Sequence, residues 1–285
     1  MKWKNIAVLM TALDADAQTE TLRGVEEYGK QNGFNVSVFL WFTGVSEKDK
    51  QNLGELNIAY LPDLNLFDGV IVFANAFHTE GNRERIEEIL EDVSCPIVSI
   101  GCELQNSTSV CTDGYAAMRK LVEHYVVDHK FSKIHFVKGV EGNPDGEARY
   151  KAYVDVLSEH GIAVAPERVT QGDFYVTGGE LAVKEILSGS AEFPEAIVCA
   201  NDTMAIAVCD LLMEKGYRVP EDVVISGYDY STEGQEHSPA MTTVRSCFYE
   251  LGRKACETLI EEMNEIEHTE TILLPEEVTE SVNHA

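Results

Sequence analysis

Polar side chains close four apolar segments of this chain, and each segment has the composition of a buried strand. These side chains are Asn75, Asp113, Asn201 and Asp229. In an open parallel sheet, ligands bind outside the carboxyl ends of the strands. Carboxylate and amide oxygens accept hydrogen bonds, so they suit a ligand rich in donors, such as a sugar, a polyol, a nucleoside or an amine. The pattern therefore predicts a binding site for a small polar molecule.

Helix capping is the alternative function of these side chains. Asn and Asp at a strand-to-helix junction commonly accept a hydrogen bond from the first free amides of the helix. We expect Asp202, which follows Asn201, to be a cap of this kind. Because three predicted strands end in the same way, with Asp113, Asn201 and Asp229, we favour a binding site for these three residues.

Apolar segments rich in β-branched residues alternate with longer segments of helical period, which predicts βαβ units and parallel sheets. The 285 residues are enough for two lobes. In the first lobe we predict strands near 5–12, 35–42, 68–75, 96–101 and 108–112, and helices near 17–32, 47–59, 82–93 and 115–129. In the second we predict strands near 133–138, 168–172, 195–200 and 223–228, and helices near 144–161, 178–189 and 203–216. A helix near 248–264 and a strand near 270–274 follow. Ser46 and Thr177 are predicted helix caps, and Gly216 a helix end.

Charge and apolar content exclude several function classes. With 22 Lys+Arg against 49 Asp+Glu the formal net charge is -27, and no basic cluster offsets it, so we expect no nucleic-acid binding by this chain. No apolar segment approaches the roughly 18 residues of a membrane span. The apolar segment 6–13 follows a basic start, as in a signal peptide, but it also makes a good buried strand. We therefore predict a cytoplasmic protein.

The residue patterns of enzymes are missing from the sequence. It contains no HExxH motif, no Walker loop and no GxGxxG after the first strand. The seven cysteines form no CxxC pair, which argues against a disulfide framework or a zinc site. His124 and His129 are five residues apart and would not share a face of an α-helix. A glycoside-cleaving pair of Asp113 and Asp229 is the enzymatic alternative. We predict no enzyme activity, no cofactor and no metal.

Five segments in the second half of the chain together resemble the effector-binding domain of the LacI/GalR family. They are NDTMA at 201–205, VPEDV at 219–223, GYD at 227–229, MTTV at 241–244 and LG at 251–252. The resemblance implies an α/β fold of the type I periplasmic-binding-protein-like class, with two Rossmann-like lobes joined by three crossings. It implies an N-terminal lobe of 1–131 plus 245–265, a C-terminal lobe of 132–244 plus 266–285, and a ligand cleft between them.

The resemblance also implies functions for single residues. Asn201, Asp229 and Asp113 would hold ligand hydroxyls, and Arg149 would grip the ligand from one side. Without the resemblance, Arg149 is equally a solvated helix residue that pairs with a neighbouring Glu147 or Asp155.

Two aromatic residues match positions of the ligand-binding wall in the family. They are Phe174 and Phe248, and core packing is their alternative function. The loop after the first strand carries Ala17 and Gln18 in place of an aromatic pair, so Asp14 would make that wall polar. Phe77 is the candidate replacement for the missing aromatic residue.

The family's DNA-binding headpiece is not present in this sequence, so we expect the output domain outside this chain. The start of the chain resembles sensors that precede GGDEF (diguanylate cyclase) domains. We predict a homodimeric sensor domain that closes on its ligand and signals to a transcriptional or diguanylate cyclase output. A secreted substrate-binding protein of a sugar transporter is the alternative, and it would be free-standing.

Overall fold

The computed structural model describes residues 4–11, 16–41, 54–76, 82–268 and 271–279. The chain forms two compact units. The first runs up to Thr112 and includes Cys247–Leu274, and the second consists of Asp113–Ser246 and the chain from Pro275 onward. The backbone therefore passes between the units three times, as the family resemblance implies.

Twelve strands and eight α-helices lie in the described residues. The strands are β1 (Lys4–Thr11), β2 (Phe34–Trp41), β3 (Gly69–Phe73), β4 (Ile97–Ile100), β5 (Thr108–Thr112), β6 (Ile134–Val137), β7 (Val169–Thr170), β8 (Ala196–Cys199), β9 (Val224–Ser226), β10 (Thr243–Arg245), β11 (Ile272–Leu274) and β12 (Glu277–Thr279). The helices are α1 (Asp16–Gln31), α2 (Asn82–Glu91), α3 (Gly114–Glu123), α4 (Pro144–Glu159), α5 (Val176–Ser188), α6 (Asp202–Glu214), α7 (Thr232–Glu236) and α8 (Phe248–Met263).

The first unit is a parallel sheet with the strand order β11-β5-β4-β3-β1-β2. Successive side chains of a strand point to opposite faces, so β1 supplies two cores: Val8 packs in one and Leu9 in the other. Helices α1 and α8 pack closely on one face. A Cβ atom at Gly252 would lie 1.8 Å from the Thr21 carbonyl oxygen, so this approach requires glycine.

The second unit is a parallel sheet with the order β7-β6-β8-β9, and β10 pairs with β12 in a separate antiparallel ribbon. Every residue of β6 and β8 is buried, as expected for central strands covered by helices. Helix α3 packs against α4, and α5 against α6. In the first sheet β2 and β3 pair with opposite sides of β1, and in the second β7 and β8 pair with opposite sides of β6. This is the strand order of doubly wound α/β proteins.

The unit boundaries differ from the predicted lobes at three places. The shortest is 245–246, which the prediction assigns to the first lobe but which belongs to the second unit. We placed residues 113–131 in the first lobe, but α3 belongs to the second unit because it packs against α4. We placed residues 266–274 in the second lobe, but β11 belongs to the first unit because Ile272–Leu274 pairs in parallel with β5. All three segments lie next to a crossing, where local periodicity carries no information about the packing partner.

Local helix signals were only partly correct. Gly216, with a φ of +90°, follows the end of α6 as predicted. Thr177 does not cap α5, because Asp173 accepts the hydrogen bonds of the Tyr175 and Gly178 amides and of the Thr177 hydroxyl. The described part of the predicted helix 47–59 contains a 3-10 segment at Leu56–Tyr60, and Ser46 lies outside the described residues.

A π-helical turn at His124–Asp128 continues α3. The His129 amide donates to the His124 carbonyl 3.3 Å away, five residues back. The longer period places the two imidazoles on one face, with Nε2 atoms 3.1 Å apart. The prediction that His124 and His129 lie apart was wrong, because it assumed α-helical geometry throughout.

Candidate ligand-binding site

The candidate site lies in the second unit at the carboxyl ends of its strands. From β6 the chain adds β7 on one side of the sheet and then β8 and β9 on the other, so the strand order switches between β6 and β8. Ligands of open α/β sheets bind at such a switch point. Arg149 reaches this position from α4, and its Nη1 donates to the Ala200 carbonyl at 2.6 Å, directly after β8. Helix α4 is held at its start by Asn143, whose side chain accepts from the Gly146 amide.

Arg149 is buried, with 6% of its surface exposed. Its guanidinium stacks on the Tyr228 ring, 3.5 Å from the ring centroid, and its Nη1 lies 3.7 Å from Asp229 Oδ1. The alternative of a solvated residue is therefore wrong. Glu147 pairs instead with Lys138, and Asp155 with Lys151.

Asp229 combines an unusual backbone conformation with a half-buried carboxylate. Its φ is +111°, which non-glycine residues rarely adopt, and its amide donates to the Val244 carbonyl at 2.9 Å. The side chain is 23% exposed. Burial raises the pKa of the Asp229 carboxyl well above its usual range, although the Arg149 charge opposes that shift.

Tyr228 and Glu276 complete the group around Arg149, and the sequence did not predict either as a site residue. The Tyr228 hydroxyl is fully buried and donates to Glu276 Oε2. Burial raises the pKa of both groups. A Cβ atom at Gly114 would lie 3.2 Å from the Tyr228 hydroxyl, so the start of α3 covers this bond. Tyr228 lies in the GYD segment, whereas no spacing links Glu276 to the site.

Asn201 and Asp113 are helix caps, which was the alternative to a binding function. Asn201 Oδ1 accepts from the Met204 amide at 3.1 Å, and its Nδ2 donates to the Phe174 carbonyl at 2.9 Å. Asp113 Oδ1 accepts from the Ala116 amide at 3.0 Å. A cap uses only part of the acceptor capacity of each side chain, so a ligand contact stays a prediction for both.

Asp202 is not the cap that the sequence predicted. The Asn201 side chain occupies the cap position, and the Asp202 carboxylate, with the residue 1% exposed, accepts from the Thr243 hydroxyl at 2.7 Å and the Ser231 amide at 2.8 Å. A Cβ atom at Gly227 would lie 2.1 Å from Asp202 Oδ1. Asp202 therefore ties α6 to the segment that follows β9 and to the first residue of β10.

Phe174 also has a left-handed backbone, with a φ of +68°. Its carbonyl is held by Asn201, and its half-buried ring covers Gly139, where a Cβ atom would lie 2.1 Å from Cζ. Gly139 follows β6, so the ring lies at the same sheet edge as Arg149. This placement fits the predicted aromatic wall.

The remaining predicted site residues belong to the first unit. Asn75 lies in the 3-10 segment Ala74–Ala76 after β3, half-buried against Gly101, and Phe248 is the half-buried first residue of α8. Asp14 and Phe77 lie outside the described residues. The structure therefore brings together the predicted residues of the second unit and leaves those of the first as predictions.

The sequence profile of a family described as the periplasmic binding protein-like domain matches residues 122–280. The chain belongs to this family. The predicted α/β fold of type I with parallel sheets is confirmed, as is the resemblance to LacI-type effector-binding domains. In the described residues, no helix is both apolar enough and long enough to span a membrane.

Two relatives are transcriptional repressors. The HTH-type transcriptional repressor PurR of Pasteurella multocida is 28% identical over 92% of this chain and 75% of its own length. The ribose operon repressor of Haemophilus influenzae is 27% identical over 95% of this chain and 78% of its own length. The prediction that the chain is not an enzyme is confirmed by such relatives.

Solved structures share the fold. A complex of the transcriptional regulator CelR with cellobiose superposes with a TM-score of 0.81 at 22% identity, covering 98% of this chain and 85% of that one. A lac repressor dimer bound to operator and an anti-inducer gives a TM-score of 0.81 at 20% identity, covering 98% and 93%.

Proposed function

We propose that the second unit binds a small, hydroxyl-bearing or amine-bearing molecule through Asp229 and Arg149, with Phe174, Asn201 and Asp113 beside them. The observation that carries the proposal is the incomplete bonding of Asp229 and Arg149. Their ion pair is 3.7 Å long, and Arg149 Nε has no hydrogen-bond partner among the described atoms.

A ligand hydroxyl fits the polarity of this pair. It can donate to the Asp229 carboxylate and accept from the Arg149 guanidinium at the same time. Direct bonding between the two groups is weaker than this, because their nearest atoms are 3.7 Å apart. A molecule without such a group would bury the charges unpaired, at a cost of about 1–3 kcal/mol for each group. This penalty would give the site its selectivity for polar, sugar-like molecules.

The output that we propose is regulation of transcription in the cytoplasm by a homodimer. Repressors among the relatives support this output over a diguanylate cyclase and over a secreted transporter component. Closure on the ligand, with contacts from Asn75, Phe248, Asp14 or Phe77, stays a prediction. Ligand binding would shift the population of states only if it stabilises one of them more than the other.

A thermal-shift screen against sugars, polyols, nucleosides and amines tests the proposal. A bound ligand stabilises the protein by RT ln(1 + [L]/Kd), so a true ligand raises Tm in proportion to the logarithm of its concentration. We expect Asp229→Asn and Arg149→Lys to reduce that rise by at least about half, because each loses a charge-assisted or stacked contact.

The surface pair of Arg218 and Asp222 offers matched controls. Arg218 Nε and Asp222 Oδ2 lie 3.0 Å apart just before β9, at the amino end of that strand and not at its carboxyl end. Arg218→Lys and Asp222→Asn should leave the ligand response unchanged. A full response in both site variants would contradict the assignment of the site.

A further inference from the structure

We propose that His124 and His129 form a chelating site for a divalent transition-metal ion such as Zn²⁺. The site lies in the π-helical turn at the end of α3 and is separate from the residues around Arg149. The sequence argued against any such pair, because an α-helix would hold the two side chains apart.

The distance between the two Nε2 atoms suits a metal. They lie 3.1 Å apart, with ring centroids at 4.6 Å and ring planes at 87°. An ion at about 2.05 Å from each nitrogen would subtend an angle of about 100°, close to the tetrahedral geometry of zinc sites. The ion can therefore enter without a change of helix register.

Asp128 fixes the tautomer that a metal requires. Its carboxylate lies 2.9 Å from His124 Nδ1, so Nδ1 carries the proton and the Nε2 lone pair faces His129. Metal-binding histidines commonly donate their second ring N–H to a carboxylate in this way. On binding, His129 must move its Nε2 proton to Nδ1, and both lone pairs then face the ion.

Packing holds the two rings in place before a metal arrives. Phe131 stacks on His129 with centroids 5.2 Å apart, and Tyr125 lies against both imidazoles. The His124 side chain stays 17% exposed, so an ion can reach it from solvent. In the described part of the chain no group of three or more His, Cys, Asp or Glu could hold a metal, so we expect water to complete the coordination.

Calorimetric titration of the tag-free chain with ZnCl₂ near pH 7.5 tests the site. We expect one ion per chain, and weaker binding at pH 5.5 because protons compete for the ring nitrogens. His129→Gln and His124→Gln should weaken binding by about 100-fold, since each removes the second, intramolecular bond of the chelate. Asp128→Asn should weaken it by about 10-fold or more through the tautomer of His124.

His268 provides the matched control, because it pairs with a carboxylate, Glu261, but has no second histidine beside it in the described residues. His268→Gln should bind Zn²⁺ like the wild-type chain. Cu²⁺ electron paramagnetic resonance adds a signature that a structural role would not give: couplings to two imidazole nitrogens in the wild type and one in His129→Gln.

Equal Zn²⁺ affinity in the wild type and His129→Gln, or coupling to one nitrogen only, would overturn the proposal. Circular dichroism checks that each variant folds. If His124→Gln fails to fold, His129→Gln and Asp128→Asn carry the test, since the Asp128 side chain is 65% exposed.

Discussion

Two carboxylates follow neighbouring strands of the second unit, and they differ in the hydrogen bonds that they accept. Asp202, after β8, accepts hydrogen bonds from the Ser231 amide and the Thr243 hydroxyl, and these bonds oppose the rise that burial gives to the pKa of its carboxyl. Asp229, after β9, faces Arg149 across 3.7 Å from a left-handed backbone. Hydrogen bonds to a buried carboxylate offset the cost of its burial, whereas a carboxylate without them on a strained backbone costs stability that a ligand can offset. The same residue type therefore serves structure at one strand end and, as we propose, binding at the next.

Removal of Asp202 should have the largest effect. We expect Asp202→Ala to lower the free energy of unfolding by about 2–4 kcal/mol, because the Thr243 hydroxyl and the Ser231 amide lose their buried acceptor. Urea denaturation followed by circular dichroism measures the change. Glu214→Ala, at an exposed position of the same helix, should stay within about 0.5 kcal/mol of the wild type. A loss as small as that of the control would remove the distinction between the two carboxylates.

Loss of the Tyr228 hydroxyl should have an intermediate effect. Tyr228→Phe removes the donor to Glu276, a carboxylate that is only 4% exposed, and we expect a loss of about 1.5–3 kcal/mol. Tyr153→Phe is the matched control: that buried hydroxyl donates to the neutral Ile134 carbonyl at 2.9 Å, for which about 1 kcal/mol is expected. Equal losses in the two variants would show that Glu276 is not charged in the folded protein.

The contrast between Asp202 and Asp229 also shows how far the sequence reaches. Period and composition predicted the strands of both parallel sheets, because burial on a sheet imposes a local pattern of apolar residues. They did not predict the antiparallel ribbon of β10 and β12 or the short helix α7, which have too few residues for a pattern. The family resemblance placed Arg149 beside Asn201 and Asp229, and in the structure Arg149 contacts Ala200 and Asp229 at one sheet edge.

Which of two adjacent polar residues caps a helix could not be predicted, because it depends on distant residues. Asn201 caps α6, whereas the Asp202 carboxylate accepts from Ser231 and Thr243, about 30 and 40 residues further along the chain. Glu276 reaches Tyr228 across 48 residues. The π-helical turn at His124–Asp128 was missed for a different reason, since the prediction assumed a single helical period.

Neutralisation of Asp229 should have the smallest effect, and with the opposite sign. Asn keeps the shape of Asp and tolerates a positive φ, so Asp229→Asn removes mainly the buried charge. We expect a rise of roughly 1 kcal/mol in the free energy of unfolding of the ligand-free protein at pH 7. Asp229→Asn would thus raise the free energy of unfolding, whereas Asp202→Ala would lower it.

The pH dependence of this gain follows from the raised pKa of Asp229. Below the pKa that Asp229 has in the unfolded chain, this carboxyl is protonated in both states and costs no stability. As pH rises from there toward the pKa of Asp229 in the folded protein, the unfolded state ionises first and stability is lost. The advantage of Asp229→Asn in Tm should therefore shrink from pH 7 to pH 5.

Asp222 should show the opposite dependence, because its ion pair with Arg218 lowers the pKa of this carboxyl to about 2. Asp222→Asn should lose stability at pH 7, and that loss should disappear only as pH falls through about 4 toward 2. If the Tm difference for Asp229→Asn grows as pH falls, Asp229 is stabilised as an anion by Arg149, and the cost that we assign to it is absent.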